Sequence, residues 1–307
     1  MPTPSEICSR CPKELRGYCT ATKPSHKLES LSSCPKNYWN SSIELNKNNQ
    51  SDNSIQIVYS DPIDVFNGYE FNPDPIDLSE VGVRDLHYTI YPHREDMTDY
   101  HVERLEESVS KFNGIKVCSL LIDDKTIEYK YENTLNKLFD IVNIRPNNPH
   151  RREGTSFIES LDYLKTDDPN RVICFGHAKN QQERHPKIEQ AVKYWMEALY
   201  DRCFNNWDGV LESFKKGYSV TGACKLRSGS RVSKFNWHYS GSFWWVRSKK
   251  LFDNPTWTHI NRDPYGSESF VGHKFHTDEA DCLIYDHKDY NYVDFYSLDW
   301  WQKVGLK

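Results

Sequence analysis

The sequence predicts an α/β protein whose main domain is a mostly parallel sheet with helices on both faces. From residue 85 onward, strand-like segments alternate with segments of helical period. Several strand candidates are short continuous apolar runs, as expected for strands that are buried on both faces. Aromatic residues form 14% of the chain and compensate for an apolar content of only 37%, because each ring buries a large area. A chain of 307 residues is long enough for one main domain with a small appendage.

The first 40 residues are predicted to form a separate metal-binding module. Cys8, Cys11, Cys19 and Cys34 follow the spacing C-x2-C-x7-C-x14-C. Four thiolates can close a tetrahedral site, and so short a segment has too little apolar surface to fold by burial alone. Zn²⁺ is the first expectation. A [4Fe–4S] cluster is the alternative, because cluster ligands also occur in Cys-Pro pairs, and four unrelated free cysteines are the remaining interpretation.

Residues 41–84 are predicted to be a linker followed by an irregular arm. Residues 41–54 are polar and almost without apolar side chains. The stretch after them contains Pro62, Pro73 and Pro75 and has little periodicity. The main domain is therefore expected to span 85–307.

The elements of the main domain follow from the periodicity of the sequence. Val102, Leu105 and Val109 share one face of a predicted helix, which Gly114 would stop, and the strand after it is a short, mostly apolar run. Predicted strands are 86–91, 115–122, 139–144, 171–176, 218–226 and 242–246. Predicted helices are 99–112, 131–138, 153–164, 187–203 and 206–216, with a short helix near Glu268.

Polar residues follow two of the predicted strands directly. Asp123 and Asp124 follow one strand, and His177 and Lys179 follow another. Ligands of such sheets bind outside the carboxyl ends of the strands, so these side chains are expected to lie outside the core and near one another. Lys179 suits a phosphate, His177 a phosphate or a metal, and the Asp pair a ribose or a metal. Ordinary turn residues and helix caps are the competing interpretation.

An aromatic segment, Phe235–Trp245, is the most unusual stretch of the chain. It contains six aromatic residues, and it lies in a window, Ser213–Phe252, with nine Lys or Arg and no Asp or Glu. This composition is typical of a site for an anionic, ring-shaped ligand such as a nucleotide, a sugar phosphate or a nucleic acid. Because the net charge of the chain is −5, any contact with nucleic acid would have to be local.

Glu268 is the preferred candidate for a general base. It is expected near the start of a short helix, and Asp278, Glu279 and Asp281 follow closely. A Glu at a helix N-terminus is also ordinary complementation of the helix dipole. Glycine-rich phosphate loops and an Asp-x-Asp after a strand of the sheet region are missing from the sequence.

Taken together, these residues resemble a family of nucleotide-sugar-dependent glycosyltransferases of GT-A-like fold, found in bacteria and viruses. The resemblance covers roughly residue 85 to the C-terminus. It rests on Tyr91-Pro92, Pro146–Pro149, His177-x-Lys179, Trp195, Trp237–Trp245 and Gly266-x-Glu268. Asn180 stands where members of the family usually have Gly.

The resemblance implies hexosyl or pentosyl transfer from a nucleotide sugar to a hydroxyl. By position, Tyr91 and Asp123 would flank the nucleoside, and His177 and Lys179 would face the diphosphate where other GT-A enzymes have Asp-x-Asp. The sugar and the acceptor would meet at the aromatic segment. The residues expected there are Trp237, His238 and Gly241 beside the sugar, with Tyr239, Trp244 and Arg231 beside the acceptor. The resemblance leaves open whether Mg²⁺ or Mn²⁺ assists.

Two kinds of acceptor and two other functions remain open at this stage. A glycan acceptor fits the acidic net charge, and a hydroxymethylated base of viral (phage) DNA fits the basic aromatic window. A non-enzymatic nucleic-acid-binding protein is the main alternative, and a metal-dependent hydrolase is a weaker one. The chain has no apolar run of transmembrane length and no signal-peptide pattern at its start, so a cytoplasmic location is expected.

Overall fold

A computed structural model describes most of the predicted main domain and parts of the segment before it. The described residues are 55–60, 69–76, 82–123, 126–179, 184–227, 237–286 and 292–304. Nearer the N-terminus, three short antiparallel strands are described: β1 (Glu14–Leu15), β2 (Tyr18–Cys19) and β3 (His26–Lys27). Cys8, Cys11 and Cys34 lie outside the described residues, as does the side chain of Cys19. The metal-binding module therefore stays a prediction.

Seven strands of the described region form one twisted sheet in the order β14-β9-β12-β8-β5-β6-β7. Their bounds are β5 Val83–Ile90, β6 Lys116–Ile122, β7 Ile141–Pro146, β8 Arg171–His177, β9 Val220–Ala223, β12 Trp244–Arg247 and β14 Ala280–Ile284. The pairs β8–β5, β5–β6, β6–β7 and β9–β14 are parallel. The prediction of an α/β fold with a mostly parallel sheet is thus confirmed.

Strand β12 runs against the direction of the rest of the sheet. It is antiparallel to β8 on one side and to β9 on the other, with Trp244 opposite Phe175 and Gly222. An antiparallel strand begins where its parallel neighbours end. The residues that precede β12 are therefore brought to the carboxyl edge of the sheet.

Helices cover both faces of the sheet. One face packs against α1 (Glu95–Ser108), α2 (Glu128–Leu138), α4 (Pro186–Leu199), α5 (Trp207–Lys215) and α8 (Leu298–Val304). The other face packs against α3 (Phe157–Asp162), α6 (Ser248–Phe252) and α7 (Gly266–Lys274). Side chains along β5 alternate between the two faces, and Leu86, Tyr88 and Ile90 pack into the core on the first face.

Three of the predicted elements are interrupted in the structure. The predicted helix 153–164 is a 3₁₀ turn, Arg152–Thr155, followed by α3. The predicted helix 187–203 ends as α4 at Leu199 and continues as a π-helical turn, Tyr200–Phe204. The predicted strand 218–226 breaks at Cys224, which has a φ of 62°, and the chain leaves the sheet there as β10 (Lys225–Leu226) to pair with β11 (His238–Tyr239).

The arm before the main domain contacts it at two described places. Strand β4 (Val58–Ser60) pairs in parallel with β13 (His259–Asn261). Farther along, the Asp74 N–H donates to the Gly217 carbonyl at 3.3 Å. The arm thus lies against β13 and against the turn between α5 and β9.

Candidate functional site

Five strands bring their neighbouring residues to one edge of the sheet. Strands β5 to β8 are parallel, so the residues that follow Ile90, Ile122, Pro146 and His177 meet there. The reversed strand β12 adds the residues that precede Trp244. This edge therefore collects the sequence-predicted strand-end residues.

Asp123 lies at the centre of a hydrogen-bonded corner of this edge. Its Oδ2 accepts from the Tyr91 hydroxyl at 2.7 Å and from Asn147 Nδ2 at 3.0 Å. Thr126 Oγ1 donates to the Asp123 carbonyl at 2.8 Å. Tyr91 and Asp123, expected to lie together from the sequence, do so; Asn147, from the Pro-Asn-Asn-Pro segment, is an addition. Asp124 lies outside the described residues.

Lys179 is held at this edge through its backbone. The His101 Nε2–H donates to the Lys179 carbonyl at 2.9 Å, since a carbonyl only accepts. His101 Nδ1 lies 3.2 Å from the Tyr88 hydroxyl and 3.0 Å from the Tyr200 hydroxyl. Burial lowers the pKa of His101 to about 4, so the ring is neutral and can accept at Nδ1. The Lys179 ammonium lies 4.2 Å above the Trp195 ring. Sequence reasoning missed His101, because a buried helix residue gives no pattern of its own.

The prediction that His177 lies outside the core is wrong. It is the last residue of β8, where it pairs with Thr89, and only 7% of its surface is exposed. Burial, and next the positive charge of Lys179, lowers its pKa well below the usual value, so the imidazole is neutral. Its Nδ1 lies 3.8 Å from Glu153 Oε1.

Two carboxyl groups lie within electrostatic range of Lys179. Glu153 belongs to the 3₁₀ turn after β7, and Glu268 lies in the first turn of α7. Burial raises the pKa of Glu153, and the negative charge of Glu268 raises it further. Burial also raises the pKa of Glu268, while Lys179 and Arg152 oppose that rise. Glu153 was missed in the sequence because nothing distinguished it from other helix-start carboxylates.

His238 and Trp237, expected beside a sugar, are buried in the structure. Burial, and to a lesser extent the charge of Lys179, lowers the pKa of His238 to about 3, so it is neutral. Trp237 Nε1 donates to the Phe275 carbonyl at 2.9 Å, and the Trp237 backbone packs directly against helix α7 at Gly272. A Cβ on Gly272 would lie 2.0 Å from the Trp237 carbonyl oxygen. Trp237 therefore joins β11 to α7.

The rings expected beside an acceptor lie in the core as well. Tyr239 is fully buried, and its hydroxyl donates to the Asp281 carbonyl. Trp244 is 1% exposed and stacks on Phe175 with ring centroids 3.9 Å apart. Neither ring is open to solvent, although Trp244 lines a small internal cavity. Arg231 lies outside the described residues, as does Asn180.

Gly241 shapes the turn between β11 and β12. The Ser242 N–H donates to the Tyr239 carbonyl at 2.9 Å, and Gly241 has a φ of 95°. A turn of this kind needs a positive φ at its third residue, which glycine adopts freely. A Cβ on Gly241 would lie 2.6 Å from Leu199 Cδ1. The glycine lets the turn lie directly on α4.

The basic window is largely neutralised by partners that are distant in sequence or just outside its bounds. Arg247 Nη1 lies 3.3 Å and Lys250 Nζ 2.9 Å from Asp74 Oδ2. Two further ion pairs are Lys249–Asp253 at 2.7 Å and Lys215–Glu212 at 4.0 Å. Lys225 is 2% exposed and donates to the carbonyls of Thr277 and Ala280. The described part of the window thus gives no continuous cationic surface.

A small cavity lies below the strand ends. Its volume is about 20 Å³. It is lined by His87, Thr89, Glu153, Phe157, Phe175, Gly176, His177, Ser242, Trp244 and Ser267. These residues come from β5, β8, the turn before β12, the 3₁₀ turn, α3 and α7. The cavity is therefore where the strand edge and both helical segments meet.

Two kinds of feature are absent from the described residues. Within the described ranges, no three His, Cys, Asp or Glu side chains form a group that could hold a metal ion. No helix in the described part of the chain has the length and apolar character needed to cross a membrane.

Comparison with known proteins adds little to this description. No family model and no curated protein match the chain. One solved structure, described as the crystal structure of 4-diphosphocytidyl-2C-methyl-D-erythritol synthase, is similar over 69% of this chain and 93% of that chain. The identity is 8% and the TM-score is 0.28, a likeness too low to carry an argument about function. The α/β fold therefore rests on the strand order and directions given above.

Proposed function

We propose that the protein is a glycosyltransferase that moves a sugar from a nucleotide-sugar donor to a hydroxyl acceptor. One observation carries the proposal. Lys179 lies at the strand edge within electrostatic range of His177, His238, Glu153 and Glu268, since its charge shifts the pKa of all four. One cation among two carboxyls and two neutral imidazoles suits a reaction that expels an anion and removes a proton.

The donor would lie along the strand edge. Asp123, positioned by Tyr91 and Asn147, is placed to accept hydrogen bonds from a nucleoside. Lys179 would face the diphosphate, and Arg152, which also lies within electrostatic range of both carboxyls, would lie on its far side. Two cations near a diphosphate stabilise the charge that grows on it during transfer.

Glu268 would act as the general base. The acceptor oxygen forms a bond to the anomeric carbon, and its proton passes to the Glu268 carboxylate. The bond from that carbon to the diphosphate oxygen breaks, and its electron pair stays on the diphosphate, next to Lys179. A raised carboxyl pKa makes Glu268 a stronger base than an exposed carboxylate, provided that it is ionised.

An arginine–tyrosine rim beside Glu153 favours an anionic acceptor. Arg151 lies 3.8 Å above the Tyr59 ring, and Arg152 lies 5.7 Å from the Tyr265 ring centroid. Arg262 is exposed and donates to the Tyr59 carbonyl at 3.4 Å. Cationic and aromatic groups together suit DNA phosphates and extruded bases. Of the two acceptors that the sequence leaves open, a hydroxymethylated base in DNA fits this rim better than a neutral glycan.

Release of nucleoside diphosphate from a panel of nucleotide sugars tests the proposal. Each donor is offered with hydroxymethylated DNA, plain DNA and free glycans, with and without Mg²⁺ or Mn²⁺. We expect one donor to be consumed, faster with hydroxymethylated than with plain DNA. Faster consumption with a glycan would keep the transferase and replace the acceptor. If no nucleotide sugar binds by calorimetry and none is turned over, the protein is not a glycosyltransferase.

The structure offers less support for a non-enzymatic nucleic-acid-binding protein. That hypothesis relied on the four-Cys module, whose cysteine side chains lie outside the described residues, and on the basic aromatic window. The described basic side chains of that window are mostly ion-paired or buried. DNA affinity that is unchanged by replacing Lys179 and Glu268 with neutral residues, without turnover of any donor, would favour it nevertheless.

A further inference from the structure

Four buried polar atoms surround the small cavity below the strand ends. They are His87 Nε2, His177 Nε2, Ser242 Oγ and Ser267 Oγ, and none has a hydrogen-bond partner among the described residues. The four residues are 1%, 7%, 9% and 6% exposed. Buried polar groups are almost always hydrogen-bonded, so each such exception requires an explanation.

The four residues belong to different elements of the fold. His87 lies in β5, His177 ends β8, Ser242 precedes β12, and Ser267 is the second residue of α7. Their convergence on one cavity is therefore a product of the tertiary fold rather than of one local turn. Ser242 also has a φ of 56°, a conformation that is unfavourable for a residue with a side chain. Such strain occurs preferentially at ligand sites.

Three aromatic rings form the apolar part of the cavity wall, and Thr89 and Glu153 add polar groups to it. Phe175 and Trp244 stack face to face, and Phe157 stacks on Phe175 with centroids 5.6 Å apart. The wall therefore matches a guest with one carbon and one hydroxyl: the carbon against the rings, and the hydroxyl toward the unpartnered polar atoms. A hydroxyl both donates and accepts, so it can bond to serine hydroxyls and to a neutral imidazole.

The volume sets the size of the guest. About 20 Å³ is enough for one water molecule or for a group of one or two heavy atoms, and far too small for a sugar ring. The cavity also lies close to the surface, because Glu153, one of its lining residues, keeps 23% of its side chain exposed. A ring lying at the strand edge could thus insert a single substituent.

We propose that this cavity binds the exocyclic hydroxymethyl group of the transferred sugar and so selects hexoses over pentoses. The proposal rests on the proposed glycosyltransferase function and names its donor class. An exocyclic hydroxymethyl group is what distinguishes a hexopyranose from the corresponding pentopyranose. The hexose ring itself stays at the strand edge, between Lys179 and Glu268.

Matched donors that differ only in this group test the proposal. UDP-glucose is compared with UDP-xylose, and GDP-mannose with its 6-deoxy analogue, by calorimetry and by donor hydrolysis. UDP and GDP alone are titrated in parallel. We expect the pair that binds to favour the hexose with its hydroxyl by about 10- to 200-fold in affinity or kcat/KM, the range for one group in a fitted pocket.

Two serine variants on the same helix locate the effect. Ser267→Ala removes a hydroxyl of the cavity and is expected to reduce the hexose preference by about tenfold or more. Ser269→Ala is the matched control, because Ser269 is equally buried but donates to the Gly266 carbonyl at 3.3 Å and does not line the cavity. It is expected to keep the preference.

The outcomes separate this inference from the function on which it rests. If UDP or GDP and their sugars bind but hexose and pentose are equal, the cavity holds only water and the inference is wrong. An equal loss of preference in both serine variants would also contradict it. If no nucleotide and no nucleotide sugar binds, the glycosyltransferase proposal fails, and the inference fails with it.

Discussion

In the sequence, the aromatic segment stands out by its composition, whereas Lys179 and Glu268, the strand-end cluster, stand out only by their positions. In the structure, the described rings of the segment are buried support, and the strand-end cluster carries the proposed chemistry. Trp237, Tyr239 and Trp244 are buried, and the polar atoms of the first two donate to backbone carbonyls. Lys179 and Glu268, by contrast, are only partly buried and lie among opposite charges and neutral imidazoles. The segment of unusual composition therefore acts as a structural scaffold, whereas the proposed chemistry belongs to ordinary residues near the strand ends.

The scaffold still shapes the site, but it does so as buried support rather than as an exposed ligand-binding surface. Gly241 places the turn against α4, and Ser242 next to it lines the cavity. Trp244 supports the same cavity through its stack on Phe175. Damage to the segment should therefore appear first as lost stability, and damage to the strand-end cluster as lost turnover. Four variants test this contrast.

Glu268→Gln should have the largest effect of the four. Removal of a general base costs typically about 10²- to 10⁴-fold in kcat, and the isosteric amide keeps the packing of the site. The wild-type rate should rise with pH through the raised pKa of Glu268, because the base acts only when ionised. This acidic limb should disappear in the variant when kcat is measured from pH 4 to 8. An unchanged pH–rate profile would remove Glu268 from the mechanism.

Lys179→Met should lower kcat by about 10²- to 10³-fold, as the loss of one charge-stabilising group does elsewhere. The apolar chain can still lie over Trp195, so little change in thermal stability is expected. Lys193→Met is the matched control: Lys193 is exposed on α4 and lies 5.9 Å from the Tyr100 ring centroid, outside the site. Equal losses in the two variants would show that general charge, rather than position, matters.

Gly241→Ala should destabilise the fold by about 1 to 3 kcal/mol, because alanine adopts a positive φ poorly and its Cβ would contact Leu199. Urea denaturation measures the free energy of unfolding. Gly154→Ala provides the comparison: its nearest new contact is Ile260 Cδ1 at 3.6 Å, an ordinary separation, and its φ is not positive. An equal loss in the free energy of unfolding for both glycine variants would contradict the structural role assigned to the turn.

Of the four variants, Trp237→Phe should change function least, with no effect on donor affinity. It leaves the buried Phe275 carbonyl without its donor, at a cost of about 1 to 3 kcal/mol in the free energy of unfolding. Calorimetry with the consumed donor should give an unchanged Kd. A clear loss of donor affinity in a stably folded variant would restore Trp237 to the sugar site, as the family resemblance implied.

The fold was largely predictable because the buried strands β6 and β8 are mostly apolar, with only isolated polar residues. β6 and β8 were found to within a residue at each end. The direction of β12 was not, since four residues with apolar neighbours contain no information on which way the strand runs. Elements interrupted by one residue of unusual conformation, such as the strand broken at Cys224, were likewise read as continuous.

The site was predictable only where a residue follows a strand directly. Asp123 and Lys179 were found in this way, and Glu268 was found from its place at a helix start. His177 was expected to be exposed because the strand was ended one residue too early. Glu153 and His101 depend on tertiary neighbours, and so does the pairing of the basic window with Asp74, which lies 173 residues from Arg247. No window of sequence contains both partners of such a contact.

The reversed strand β12 also fixes the order in which the site can be assembled. It enters the sheet between β8 and β9, which both precede it in the chain, and it is hydrogen-bonded to both. Until β12 is in place, the two halves of the sheet have no shared strand, and Ser242 is not beside His177. The pairing of β12 with β8 joins residues far apart in sequence, such as Trp244 and Phe175, so closing the intervening loop costs entropy before this contact forms. During refolding, donor binding should therefore recover with the final closure of the sheet, after most of the helical signal has returned.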